Sequence, residues 1–431
     1  MSRVLVSVFF LAILVTPSFA QDDWRAEADA RIEKNRKTDV AIFVIRDDEP
    51  VADAEVRVKM VRHEFLFGCN IFMHGRAATP EQNAAYNERY AEILNFATLP
   101  YYWWDYERVE GKPGHESRER TAAWCAEHGI RTKGHPLAWS YGEAKWMTER
   151  GPEAVWERQL GRITDCVSHF QGKIDTWDVV NEMTQFDRGE CAKQAPTVVE
   201  AIRQAGGAVQ ATKECFAAAR EAAPDACLLV NDYMTDASYE KLLDELCDEG
   251  GKPIFDVVGI QSHMHGGTWD NARITEVCDR FSKYGLPIHF TELTILSGQT
   301  GWELGENWNS TPEGEAKQAA EVTRVYTMLF SQPAVQAITW WDFSDQGAWQ
   351  RAPAGLLRAD MSEKPAYSAL RDLIKGAWWT DVTLQTDAAG KADARVFRGT
   401  YEVTVTLSDG TVKVFLMAFS GEGNEVIVEV K

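Results

Sequence analysis

Apolar positions along the 431-residue chain fall into distinct regimes. Residues 1–20 open with Arg3, continue through an apolar run at 4–15 and close on Ser18-Phe19-Ala20, the layout of a cleaved secretory signal too short to span a bilayer. In residues 21–62 a charged helical lead at 23–37 is followed by two alternating stretches, 39–45 and 51–60, which predict a β-hairpin. From residue 64 the pattern changes. Short apolar runs at 64–70, 95–100, 131–136, 174–182, 227–232, 256–262, 286–292 and 335–341 alternate with helical periodicity, as at 117–128, 151–170, 208–223, 239–249, 272–284 and 313–330. Runs such as Ile174, Trp177, Val179 and Val180 suit strands buried on both faces, as parallel strands are. Eight strand–helix units predict an α/β fold, a closed (β/α)8 TIM barrel over 63–376, ending in an amphipathic helix at 365–374.

Beyond Gly376 the alternation is purely β, at 381–386, 391–397, 400–407, 412–419 and 426–430. Roughly 50 residues is thin for an independent core. Residues 377–431 are therefore expected to take the N-terminal hairpin into one small β-sandwich-like domain.

Charge and composition narrow the partners. A formal net charge of −20 disfavours nucleic acid and anionic membrane surfaces. No later run approaches eighteen consecutive apolar residues, so no membrane span is expected, and the mature chain is expected to be a secreted or periplasmic monomer. Eight cysteines in an exported chain allow up to four disulfides, but several fall at buried positions, so no more than one or two bridges are expected, with Cys166, Cys191, Cys247 and Cys278 as participants that sequence alone does not pair. The 16 tryptophans offer flat rings that can stack on sugars, although most should be core.

A barrel of this kind carries its reacting groups at the C-terminal strand ends. Those ends read Asn70, Tyr101-Tyr102, His135, Asn181-Glu182, Asn231-Asp232, Gln261-Ser262-His263, Glu292 and Trp341. Burying a carboxylate at the end of an apolar strand is costly unless it faces a cleft. Glu182 and Glu292 are two such carboxylates from two strands, which is what glycoside hydrolysis needs: one acid to protonate the leaving oxygen and one carboxylate to attack or to activate water.

Several motifs then appear in order: Phe67-Gly68, Lys133-Gly134-His135-Pro136-Leu137-Ala138-Trp139, Trp177-Asp178-Val179-Val180-Asn181-Glu182, Val230-Asn231-Asp232-Tyr233, Gly259-Ile260-Gln261-Ser262-His263, Thr291-Glu292-Leu293, Thr339-Trp340-Trp341 with Trp349, and Lys364-Pro365-Ala366-Tyr367. This series resembles glycoside hydrolase family 10, the endo-β-1,4-xylanase family, from about residue 64 to 373. The resemblance implies a retaining reaction on a polysaccharide, xylan or a related β-glycan, with no cofactor and no metal. Glu292 would be the nucleophile and Glu182 the acid/base, kept protonated by the charge on Glu292. Asn181 would meet the sugar 2-hydroxyl, and Gln261 and His263 would hold the nucleophile and its sugar. His135 and Trp139 would form the glycone floor, Trp341 and Trp349 the aromatic walls, and Tyr233 with Asp232 a supporting layer.

Three departures from the family pattern stand out. Where the family places Pro-Glu-Asn-x-x-Lys after the second strand, this chain has Pro100-Tyr101-Tyr102-Trp103-Trp104-Asp105, so Tyr101 and Tyr102 are expected to offer aromatic surface where hydrogen bonds usually grip the glycone. Ser140 stands for a common His and Asp342 for the usual Gly. The polar loop at 297–311 could form a rim bearing Trp302 and Trp308. A β-glycanase of altered specificity and a carbohydrate-binding protein on the same scaffold remain alternatives to the xylanase.

Overall fold

Continuous apolar runs become the strands of a closed parallel barrel in the computed structural model, which describes residues 20–302 and 308–431. The secretory-signal reading falls on residues of which 1–19 lie outside that range. In chain order the barrel strands are Leu66–Asn70, Phe96–Pro100, Arg131–His135, Thr176–Asn181, Cys227–Asp232, Val257–His263, Ile288–Thr294 and Val335–Trp340. The eighth pairs with the first, Trp340 opposite Cys69, and closes the ring. Every residue of the fourth strand is buried, because side chains inside the barrel and helices outside it cover both faces.

Between strands, side-chain caps start several helices. Thr79, Asp236, Asp270 and Thr311 each accept a backbone N–H of the first turn, satisfying donors that would otherwise have no partner. The closing helix Pro365–Arg371 runs on into a π-helical turn, Asp372–Ala377.

The two N-terminal strands do not form the expected hairpin with each other. Lys37–Arg46 makes a tight turn at Asp47 and Asp48, both with positive φ, and pairs back only with Glu49–Pro50. Beyond Pro50 the Val51 N–H still donates to the Val44 carbonyl at 3.0 Å, and Asp53 and Ala54 then bond Thr386 across the unit. The chain thereby changes sheet. Lys37–Arg46 lies between Lys391–Phe397, antiparallel, and Asn424–Glu429, parallel. Glu55–His63 lies between Asp381–Gln385 and Gly399–Thr406, and the latter pairs with Val412–Phe419. Val40, Ile42 and Val44 from one sheet and Val56, Val58, Tyr401, Val403 and Val405 from the other are buried in one apolar core.

This β unit seats at the end of the barrel opposite the catalytic mouth. Arg36 donates to the carbonyls of Phe330, Gln332 and Val335, where the eighth strand begins, and lies over the Phe65 ring at 4.7 Å. His63 packs among Phe67, Phe330 and Phe397, and Trp378 stacks on Phe330 at 4.3 Å.

All eight cysteines are free, in place of the expected disulfides. Six are fully buried in helix and strand positions, where a thiol serves as a small apolar filler. No helix among the described residues is long and apolar enough to cross a membrane.

A chain ending at Gly376 would remove five of the eight strands of the two sheets and strip the partners from Lys37–Arg46 and Glu55–His63. Limited proteolysis of that truncated chain should show cleavage within residues 37–63 at protease levels that leave the full chain intact.

Candidate active site

Backbone irregularities at the barrel mouth turn side chains inward. Glu182 follows the fourth strand with φ 58° and ψ 37°, a left-handed conformation uncommon outside glycine, and its N–H donates to the Asn231 carbonyl at 2.9 Å. A register shift between Phe290 and Glu292 re-aims the seventh strand in the same way. Both carboxyls line one cavity of about 730 Å³ with Asn70, Tyr102, His135, Trp139, Asn181, Tyr233, Gln261, His263, Trp341, Asp342 and Trp349.

An amide network ties the two acids together. Asn231 Nδ2 donates to Asn181 Oδ1 and to Glu292 Oε1, both at 2.8 Å. Gln261 Nε2 donates to Asn181 Oδ1 and Glu182 Oε1 at 3.1 Å, and Asn181 Nδ2 reaches the same Glu182 oxygen at 3.3 Å. The Thr291 hydroxyl donates to Asn231 Oδ1 and fixes which way that amide points.

Glu292 is further held by one imidazole and faces a second. His263 Nε2 lies 3.0 Å from its Oε2, and His135 Nε2 lies 3.8 Å from its Oε1. Burial pushes the His263 pKa down to about 3, so the ring is neutral. A neutral ring that donates from Nε2 accepts the Thr294 hydroxyl at Nδ1, 2.9 Å away. His135 Nδ1 is 2.7 Å from Asp178 Oδ2, which also pairs with the buried Lys133 at 2.6 Å. Burial opposes ionisation of Asp178, but Lys133 and His135 outweigh it and hold its pKa below the ordinary aspartate value.

The two acids keep different company in the open cleft. Burial, reinforced by Glu182 and opposed by His135 and Lys133, raises Glu292 to about 7. Glu182 Oε2 instead has a cation, Arg188 Nη1 at 2.7 Å, whose guanidinium lies 5.5 Å from the Tyr141 ring and 5.6 Å from the Tyr233 ring. Arg188 is in no motif and sits on the loop after Glu182, which is why sequence reasoning missed it. Asp232 acts at one remove: it accepts from the Thr184 N–H and hydroxyl and the Met234 N–H, so it braces the turn behind Glu182 and touches neither catalytic carboxyl nor histidine.

The aromatic segment after the second strand divides by face. Tyr102 meets His135 edge-on at 5.6 Å, and a run of rings, Tyr102, Trp104, Trp139 and Tyr141, continues along the cleft at centroid spacings of 5.0, 5.8 and 4.8 Å. Tyr101 does not line the cleft. It is 0% exposed, wedged against Phe170 and Trp177 at 5.4 and 5.0 Å, because the chain turns into the short helix Trp103–Tyr106 and sends this ring behind the barrel wall. Asp105 pairs with Arg108 and Arg118 away from the cavity. Trp341 is buried edge-on to His135 and His263, while Trp349 is 41% exposed and tilts over His263 at 4.7 Å. On the loop after the seventh strand, Trp302 lines the cleft. Trp308 does not: it is buried with Leu296, Ala352 and Ala354. Residues 303–307 of that loop lie outside the described range.

Comparison with known proteins places this architecture. The profile of glycosyl hydrolase family 10 matches residues 62–373, well over half of the chain. The chain belongs to glycosyl hydrolase family 10. It is 28% identical over 278 residues to endo-1,4-beta-xylanase B of Thermotoga neapolitana, covering 60% of this chain and 74% of that one. It is 26% identical over 397 residues to the anti-sigma-I factor RsgI6 of Acetivibrio thermocellus, covering 89% of this chain but only 47% of that protein. The crystal structure of native xylanase 10B from Thermotoga maritima superposes with a TM-score of 0.60 at 22% identity, over 73% of this chain and 96% of that one, a likeness of fold.

Two outcomes follow from the geometry. Tyr101→Ala should destabilise the fold by about 3–5 kcal/mol, whereas Tyr102→Ala should leave the melting temperature nearly unchanged and weaken oligosaccharide binding, read by calorimetry on both variants. The raised pKa of Glu292 stabilises the fold fully below its ordinary value of 4.5 and is lost as pH rises through about 7. Glu292→Gln should therefore be more stable than the parent at pH 8, by on the order of 1–3 kcal/mol, and the gap should close near pH 4.

Proposed function

We propose that this chain is a secreted or periplasmic retaining endo-β-1,4-xylanase that works by double displacement. The observation that carries the reading is the pair of carboxyls at the mouth, Glu292 fixed by Asn231 and one imidazole and facing a second, and Glu182 joined to it through Asn181 and Gln261. The export signal read in residues 1–20 supports the location.

In the first displacement the Glu292 carboxylate attacks the anomeric carbon, the glycosidic C–O bond breaks, and the proton on Glu182 passes to the leaving oxygen. In the second, Glu182 takes a proton from water, the water oxygen attacks the same carbon, and Glu292 departs as carboxylate. The pair needs one proton for the first step and needs it on Glu182. In the open cleft Glu182 pairs with Arg188, so as substrate enters Glu182 exchanges Arg188 for the glycosidic oxygen. After protonation of the leaving group Arg188 is in place to hold the Glu182 carboxylate for its role as base. One N–H of Asn181 bonds Glu182, and the other is free for the 2-hydroxyl of the reacting sugar.

The altered segment at Tyr102 and Trp104 supports a β-glycan preference that differs from that of family members with the Glu-Asn-Lys grip. A second reading, glycan recognition without turnover, draws on the relative named as an anti-sigma-I factor.

Glu292→Ala should abolish hydrolysis of xylan in a reducing-sugar assay, falling by at least about 10⁴-fold. Glu182→Ala should still release an activated phenol from an aryl xylobioside, because that leaving group needs no proton, and then stall at the glycosyl-enzyme. Proton NMR of the first product should show the β-anomer. A parent protein that binds xylo-oligosaccharides yet releases no reducing ends would favour the second reading.

A further inference from the structure

Asp342 is a carboxyl that the reaction above does not use. It follows the eighth barrel strand, where the family pattern has glycine, and it lines the same cavity as the two catalytic acids. Only 5% of it is exposed. Its Oδ1 accepts the Trp349 backbone N–H at 3.1 Å, but its Oδ2 is buried without a hydrogen-bond partner. Leaving such an atom unsatisfied is costly and calls for an explanation in a native site.

Position supplies one. Asn70, at the end of the first strand, brings its side-chain amide close enough to Asp342 to favour the ionised carboxylate, and Tyr102 is close enough to feel its charge. Tyr102 occupies the position of the family Asn that grips the glycone, and Asp105, at the family Lys position, is turned away to Arg108 and Arg118. The side of the cleft that lost its usual hydrogen-bonding groups has thus gained a buried carboxyl with one unpartnered oxygen on the neighbouring wall. Among the described residues lining this cleft Arg188 is the one lysine or arginine, against four carboxyls, Glu182, Glu190, Glu292 and Asp342. An anionic sugar would meet repulsion there. A neutral sugar hydroxyl would give Asp342 Oδ2 the partner it lacks.

Resting on the xylanase reading, we infer that Asp342 binds substrate: its Oδ2 hydrogen-bonds a free hydroxyl of the uncharged sugar one ring beyond the reacting ring on the glycone side. It contributes to specificity and takes no part in proton transfer. The Tyr102 and Trp104 rings would cover the apolar face of that sugar, and Asp342 would fix its rotation. A hydroxyl that carries a substituent cannot donate this bond, so the subsite selects an undecorated residue.

The test compares aryl β-xyloside, which fills only the reacting-ring subsite, with aryl β-xylobioside, which fills the next subsite as well. Asp342→Asn keeps the shape of the side chain and an oxygen to accept the Trp349 N–H, so a purely structural role would survive it. The expected result is an unchanged melting temperature, an unchanged kcat/KM on the xyloside, and a loss of about 10-fold on the xylobioside, mostly in KM. Asp342→Gly, which installs the family residue, should show the same selective loss. A xylobioside-to-xyloside ratio within twofold of the parent in Asp342→Asn would overturn the inference, as would an equal loss on both substrates. If the parent cleaved neither substrate, the xylanase reading itself would fail, and binding of xylobiose to the parent and Asp342→Asn by calorimetry would still decide the role of Asp342: equal affinities would overturn it.

Discussion

Two carboxyls confined in one desolvated mouth repel each other, and most of the structure around them answers that repulsion. Lys133 is the nearest buried cation, yet it does not touch either acid. It pairs with Asp178, Asp178 holds His135, and His135 faces Glu292, so positive potential reaches Glu292 through a chain of fixed groups. Arg188 serves Glu182 directly. The amides of Asn181, Asn231 and Gln261 absorb the remaining lone pairs at no cost in charge. Dipoles set in this way need no reorganisation when charge moves between the two acids.

That arrangement depends on the barrel because its members come from five separate strands, the third to the seventh. A parallel closed sheet brings all its C-terminal ends to one opening, and only local departures from ideal strand geometry are then needed to converge the side chains. The left-handed Glu182 and the shifted register at Glu292 are those departures. Asp232 holds the first of them by bracing the turn at Thr184, which gives a buried aspartate a structural task inside an active site.

The sequence made the barrel legible and the terminal sheets only partly so, for a physical reason. Barrel strands are covered on both faces and follow one another in space, so a continuous apolar run such as 174–182 reveals both the element and its neighbours. Strand Lys37–Arg46 was visible as alternation, but its long-range partners lie about 350 residues or more away, and nothing local distinguishes pairing with Lys391–Phe397 from pairing across the nearby turn. At the site, Glu182, Glu292 and the motif amides could be read because strand ends are few and face one way. Tyr101 and Tyr102 could not be told apart: adjacent aromatic residues past Pro100 have the same composition, and the turn of a four-residue helix decides which ring meets the cleft. Arg188 left no signal because a loop arginine is ordinary in sequence, and its partner emerges only when Glu182 folds back toward it.

The mouth is also divided in a way that separates reaction from recognition. Strands four to seven supply both acids and the amide bridge, and these match the family pattern. Apart from the buried Ser140, the departures lie on the loops after strands two and eight, where Tyr102 and Asp342 stand for the family Asn and Gly and Trp104 adds a further ring. A change on that side leaves the distances between Glu182, Asn231 and Glu292 untouched, because none of the altered residues hydrogen-bonds either acid or an amide of the bridge. Replacing hydrogen-bonding groups by flat rings weakens the reading of individual hydroxyls and strengthens contact with a whole sugar face. One remaining carboxyl on that wall is then enough to restore orientation, and a cleft built this way can change which glycan it holds without disturbing how it cuts.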